Sequence, residues 1–152
     1  MSLNVGDPAP EFSLPDAKGQ VYSLKDLKGR RVVLYFYPRD NTPGCTKEAC
    51  NFRDFYGEFQ GKEVVVLGVS TDDAKSHEKF ATKLELPFPL LIDEGGNVAA
   101  TYDSYGLKKF MGKEYMGISR KTFVIGPDGT IEKIYTKVKP ENHAEEILAT
   151  LA

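Results

Sequence analysis

Hydrophobic positions along the chain keep two different rhythms. The run Val32-Val33-Leu34-Tyr35-Phe36-Tyr37 is unbroken, as is Glu63-Val64-Val65-Val66-Leu67-Gly68-Val69-Ser70 after its first residue. Continuous apolar runs of this length suit strands buried on both faces. Between them, Ala49, Phe52, Phe55, Tyr56 and Phe59 recur at helical spacing, which predicts a helix over residues 43–60 ended by Gly61. Strand, helix and strand form one crossover unit with parallel pairing.

The remaining segments dress that unit. Residues 8–27 read as a short hairpin, Glu11-Phe12-Ser13-Leu14 and Gln20-Val21-Tyr22-Ser23 flanking a turn at Pro15-Asp16-Ala17-Lys18-Gly19. A second helix begins at Thr71 or Asp72 and carries His77, Phe80, Ala81 and Leu84 at helical spacing. Residues 87–93 contain a short strand, Gly95-Gly96 breaks the chain, and residues 97–102 suit a short helix. Residues 104–119, with their glycines and lysines, read mostly as loop. Lys121-Thr122-Phe123-Val124-Ile125 and Thr130-Ile131-Glu132-Lys133-Ile134-Tyr135, joined through Gly126-Pro127-Asp128-Gly129, make the clearest hairpin. Residues 140–151 close as a helix with Ile147, Leu148 and Leu151 inward. The expected class is α/β: a central mixed sheet flanked by helices, with an N-terminal β-hairpin.

At 152 residues and 41% hydrophobic content, the chain suits one domain over residues 1–152. A net charge of -2 with interspersed signs offers no basic stripe for nucleic acid or an anionic membrane. The amino terminus lacks a leader pattern and no segment reaches the ~20 apolar residues of a membrane span. A cytoplasmic address is the expectation. Two cysteines are too few for a disulfide scaffold, and a reducing compartment would keep both as thiols.

Both cysteines lie in the stretch that joins the first strand to the helix, Pro38-Arg39-Asp40-Asn41-Thr42-Pro43-Gly44-Cys45-Thr46-Lys47-Glu48-Ala49-Cys50. Pro38 stops the strand, Thr42 suits an N-cap, Pro43 the first helical position, and Glu48 adds negative charge early in the helix. Cys45 therefore falls in the first turn, where unpaired N–H groups and the helix dipole favour thiolate over thiol. An ordinary cysteine is only ~3% ionised at neutral pH, so the placement prepares a nucleophile. Cys50 lies about 140° around the helix, with its Cα about 8.6 Å from that of Cys45. That exceeds the roughly 7 Å a disulfide spans without backbone movement. If the two thiols join, the helix start must unwind, as a redox cycle would use. His77 and His143 are distant in sequence and read as ordinary helix residues, too few for a zinc site.

The whole pattern, with a cysteine opening the first long helix, resembles the thioredoxin fold, although four residues separate Cys45 from Cys50 where that fold's usual pair has two. Pro38-x-x-x-Thr42-x-x-Cys45 resembles the active-site signature of the peroxiredoxins. Thr42-Pro43-Gly44-Cys45-Thr46-x-Glu48-Ala49-Cys50 is similar to the peroxiredoxin Q, or bacterioferritin comigratory protein, subfamily. The likeness extends to Gly6-Asp7-Pro8-Ala9-Pro10-Glu11-Phe12 and Ser119-Arg120-Lys121-Thr122-Phe123-Val124-Ile125. It implies a thiol peroxidase for hydrogen peroxide and organic hydroperoxides, with Cys45 as the peroxidatic and Cys50 as the resolving cysteine. Thioredoxin is the implied reductant, no cofactor or metal is called for, and a monomer is favoured. By the same resemblance, Thr42 and Arg120 hydrogen-bond the peroxide and the sulfur, and Pro38 shields the pocket. A thioredoxin-like thiol-disulfide exchanger, or a redox sensor without fast peroxidase activity, is the alternative.

Overall fold

The computed structural model describes residues 3–151. The two apolar runs become β3 (Arg31–Phe36) and β4 (Val64–Ser70), paired in parallel at the centre of a five-stranded mixed sheet. β5 (Leu90–Ile92) continues the parallel side, while β8 (Lys121–Ile125) and β9 (Ile131–Tyr135) add antiparallel strands, giving the order β5-β4-β3-β8-β9. The first chain segment forms the small hairpin β1 (Ser13–Pro15) and β2 (Val21–Ser23).

Alternation along β3 divides the core in two. Val33, Tyr35 and Tyr37 point into one apolar layer with α1 (Pro43–Asp54), α2 (Tyr56–Gly61), α3 (Ala74–Leu84) and α5 (His143–Leu148). Val32, Leu34 and Phe36 point into the other, closed by Phe12 and Leu14 of the N-terminal segment and by Ala99 of α4 (Asn97–Thr101). Helices thus cover both faces of a thioredoxin-like sheet.

Four sequence expectations need correction. The long helix is two: Phe55 adopts φ -105° and ψ 8°, separating α1 from α2. Gly57, a poor helix former just beyond, lets tertiary packing bend the chain, and Tyr56 meets Phe88 at 5.9 Å between ring centroids. The second helix starts at Ala74, because the Asp73 side chain caps it by accepting from Ser76 N. Residues 104–119 are not a loop but a hairpin, β6 (Tyr105–Phe110) and β7 (Lys113–Ile118). Its turn residues Met111 and Gly112 both have positive φ, 51° and 77°, as a two-residue primed turn requires. Methionine at the first turn position conceals that signal. Leu107, Tyr115 and Met116 are exposed, so these positions impose no apolar alternation that the sequence could show. Finally, His77 and His143 stand on helices, as expected, but both are buried and hydrogen-bonded.

Candidate active site

The central strand delivers the motif. β3 ends beneath the start of α1, and the chain passes through a bend at the half-buried Pro38 before Asn41, whose φ is 62°. Thr42 occupies the N-cap in extended conformation, but its hydroxyl donates to the Arg39 carbonyl at 3.1 Å and does not cap the helix. The first turn is closed by Thr46 N donating to Thr42 O at 2.8 Å. Pro43 takes the first helical position as anticipated.

Cys45 lies on the inward side of that turn, only 2% exposed. Arg120, in the short link from β7 to β8, reaches it from below. Its Nη2 donates to Cys45 Sγ at 3.2 Å, and its Nη1 donates to Glu48 Oε1 at 2.5 Å. Gly44 makes room for this approach, since a Cβ there would stand 3.1 Å from Arg120 Nη2. Burial disfavours the guanidinium charge, but Glu48 and Cys45 outweigh it and hold the arginine more firmly protonated than usual.

Glu48 is fully buried, and its Oε2 has no hydrogen-bond partner. Burial pushes its carboxyl up to about 7, against the pull of Arg120. The Tyr35 hydroxyl is likewise buried without a partner, its ring stacked on Phe52 at 4.6 Å. Burial, then the negative charges of Glu48 and Cys45, push the phenol well above its ordinary range. The arrangement is a nucleophile at a helix N-terminus, held by one fixed cation in a dry setting. It suits attack by sulfur on an electrophilic atom and stabilisation of charge during that attack.

Sequence reasoning placed Cys45 and Arg120 and both meet. Thr42 sits at the cap, three residues before Cys45, with its hydroxyl on the Arg39 carbonyl, and Pro38 stands in the bend that precedes it. Cys50 is a free, half-buried thiol packed against the helical side of the core, more enclosed than a solvent-facing position would be. Glu48 is the residue the sequence reading undervalued. Its place three positions after Cys45, on the same helical face, was the available signal.

Beside the motif, Asp40 is held by Tyr37 Oη, Ser76 Oγ and His77 Nδ1 at 2.6, 2.8 and 2.7 Å. Asp40 N in turn donates to Asp72 Oδ2 at 2.7 Å. Among the described residues, Asp40, Asp72 and His77 are the group whose ligand atoms approach within 4.8 Å of one another. His77 is already spent on protein partners at both nitrogens, Nε2 meeting Leu91 O at 2.9 Å. The cluster serves as a knot that fixes the loop to α3. No helix among the described residues is long and apolar enough to cross a membrane.

Comparison with known proteins agrees with this geometry. Residues 5–134 match the AhpC/TSA family. The chain is 46% identical to Peroxiredoxin Bcp of Bacillus subtilis, covering 99% of this chain and 96% of that protein. Among solved structures, peroxidoxin BcpB of Mycobacterium tuberculosis superposes with a TM-score of 0.87 at 39% identity, covering 98% of this chain and 96% of that one. The bacterioferritin comigratory protein of Xanthomonas campestris, studied for alkyl peroxide reduction, gives 0.86 at 36% identity, over 92% and 89% of the two chains. With a buried cysteine at a helix start, an arginine on its sulfur and full-length relatives of one kind, the chain belongs to the AhpC/TSA family and is a thiol-dependent peroxiredoxin of the Bcp and peroxiredoxin Q type.

Proposed function

We propose that Cys45 is the peroxidatic and Cys50 the resolving cysteine of a peroxidase acting on hydrogen peroxide and organic hydroperoxides. The Cys45 thiolate attacks one peroxide oxygen; the S–O bond forms, the O–O bond breaks, and the other oxygen leaves as water or an alcohol once protonated. Arg120, the Thr42 hydroxyl and the N–H groups around Gly44 and Cys45 orient the peroxide and receive the charge that moves onto the leaving oxygen. Pro38 shields the sulfur from bulk water. Cys50 then attacks the sulfenic sulfur, expelling water and forming an intramolecular disulfide.

A thioredoxin-type dithiol protein returns both cysteines to thiols by exchange, and the enzyme works as a single-domain monomer in the reducing cytoplasm. The observation that supports this reading most is the Arg120 hydrogen bond to Cys45 Sγ at 3.2 Å, with Glu48 fixing the guanidinium from behind. One equivalent of peroxide added to reduced protein should convert both thiols into one intramolecular disulfide by intact mass, reversed by thioredoxin, its reductase and NADPH. Cys45→Ser should not react, and Cys50→Ser should oxidise once and stop. Loss of the first oxidation in both variants alike would contradict this division of labour.

A further inference from the structure

Asn51 follows Cys50 directly, and it is only 8% exposed. Both ends of its amide are committed to α5: Nδ2 donates to Glu145 Oε1 at 2.7 Å, and Oδ1 accepts from Ala144 N at 2.6 Å. The next residue, Phe52, is fully buried and packs on Tyr35, Phe59, Phe88 and His143. On the other side of the cysteines, Asp40 is knotted to Tyr37, Ser76 and His77. Residues 41–50 lie between these two anchors and are held differently. The segment opens with a non-glycine residue at positive φ, Asn41, continues through a helix start whose cap hydroxyl points elsewhere, and contains Pro43, which has no N–H to give.

We propose that Asn51 is a positioning residue for disulfide formation: it pins α1 to α5 immediately after Cys50, so that the helix start unwinds against a fixed point and carries Cys45 to a stationary Cys50. The inference rests on the reading of Cys50 as the resolving thiol. In the step concerned, the Cys50 sulfur attacks the Cys45 sulfenic sulfur, the S–S bond forms, the S–O bond breaks, and hydroxide leaves with a proton as water. Without the pin, α1 can lift from α5 as a unit. Such a motion leaves the two Cα atoms at their helical separation of about 8.6 Å, too far apart to bond. Local opening is productive only if it is confined to the segment ahead of Cys50.

The test is rapid-quench mass spectrometry of reduced protein mixed with hydrogen peroxide, which separates gain of one oxygen at Cys45 from the later loss of that oxygen as the disulfide closes. Asn51→Ala should take up the first oxygen at the wild-type rate but close the disulfide about thirtyfold more slowly, as expected for loss of two buried hydrogen bonds worth about 1 kcal/mol each. At excess peroxide it should accumulate more of the doubly oxidised sulfinic form. Glu145→Ala, at an exposed position that tolerates truncation, removes half of the pin and should give the same partition in weaker form. Asn51→Asp combined with Glu145→Gln exchanges donor and acceptor between the two side chains and should restore closure, which a merely structural lesion would not do.

Wild-type closure rates in both Asn51→Ala and Glu145→Ala would overturn the proposal while leaving the resolving role of Cys50 intact. Equal slowing of both steps in the two variants would overturn it as well. A wild-type protein that forms no Cys45–Cys50 bond would remove the underlying reading and the proposal together.

Discussion

Replacing Glu48 by Gln isolates the most costly group in the site. The carboxyl is completely buried, accepts from Arg120 Nη1 and leaves Oε2 without a partner. Burial raises it from 4.5 to about 7 in the folded protein. A folded-state value above the unfolded one means that the native protein binds the extra proton. Its contribution to stability is therefore complete below about pH 4.5 and is lost as pH rises through about 7. Each tenfold change in proton affinity is about 1.4 kcal/mol, so the full span is worth about 3 kcal/mol. Glutamine keeps the shape and an oxygen for Arg120 but cannot titrate. Urea unfolding of the two reduced proteins, from about pH 4 to about pH 8, should give a stability difference that moves by about 3 kcal/mol in favour of Glu48→Gln as pH rises. Groups common to both proteins cancel in that difference. A difference that is flat with pH, or that moves toward the wild type, would refute the reasoning.

Three other outcomes follow from single distances. Gly44→Ala sets a Cβ 3.1 Å from Arg120 Nη2, so it should lower kcat/KM for peroxide about tenfold while shifting Tm by no more than a few degrees. Arg120→Lys keeps the charge but cannot serve Cys45 and Glu48 with two separate N–H groups in a fixed plane; alkylation of Cys45 by iodoacetamide at neutral pH should slow severalfold, and a wild-type rate would argue that charge alone suffices. His77 Nε2 faces the Leu91 carbonyl and Nδ1 faces the Asp40 carboxylate; burial opposes the charged ring, but Asp40, Leu91 O and Asp72 raise its proton affinity overall. Nitrogen-15 NMR near neutral pH should find both ring nitrogens protonated. The stabilisation from that proton is complete below the ordinary histidine value of 6.5 and is lost as pH rises through the elevated folded one.

The central sheet was readable because β3 and β4 are buried on both faces, and burial on both faces leaves an unbroken apolar run that nothing else in this chain imitates. The cysteine at the helix start was readable for a related reason: Pro43 and Thr42 mark a helix entrance locally, whatever the rest of the chain does. Three features had no comparable local mark. β6 and β7 expose Leu107, Tyr115 and Met116, so their periodicity was not disciplined by a core. The break at Phe55 stands beside Tyr56, whose ring packs on Phe88, far along the chain. Glu48 and the two histidines look like surface residues of amphipathic helices until their partners arrive. Those partners are Arg120, Asp40 and Thr122, and all lie at least twenty residues away.

That last group explains how the site can be both dry and charged. An isolated carboxylate at the Glu48 position would simply take up a proton, and an isolated guanidinium at Arg120 would turn toward water. Together they hold each other, and the geometry leaves Nη2 free for the sulfur only because Nη1 is occupied by Glu48. The pair is a weak source of stability, since desolvation consumes most of its attraction. Its value is directional: it points one N–H at Cys45 from a part of the chain, the link between β7 and β8, that need not move when the start of α1 unwinds. On the proposed cycle Glu48 lies inside the segment that unwinds, however, and leaves the pocket with Cys45. Such an opening must break both Arg120 contacts, to Glu48 and to Cys45, and rehydration of the carboxylate and the guanidinium offsets much of the attraction that is lost.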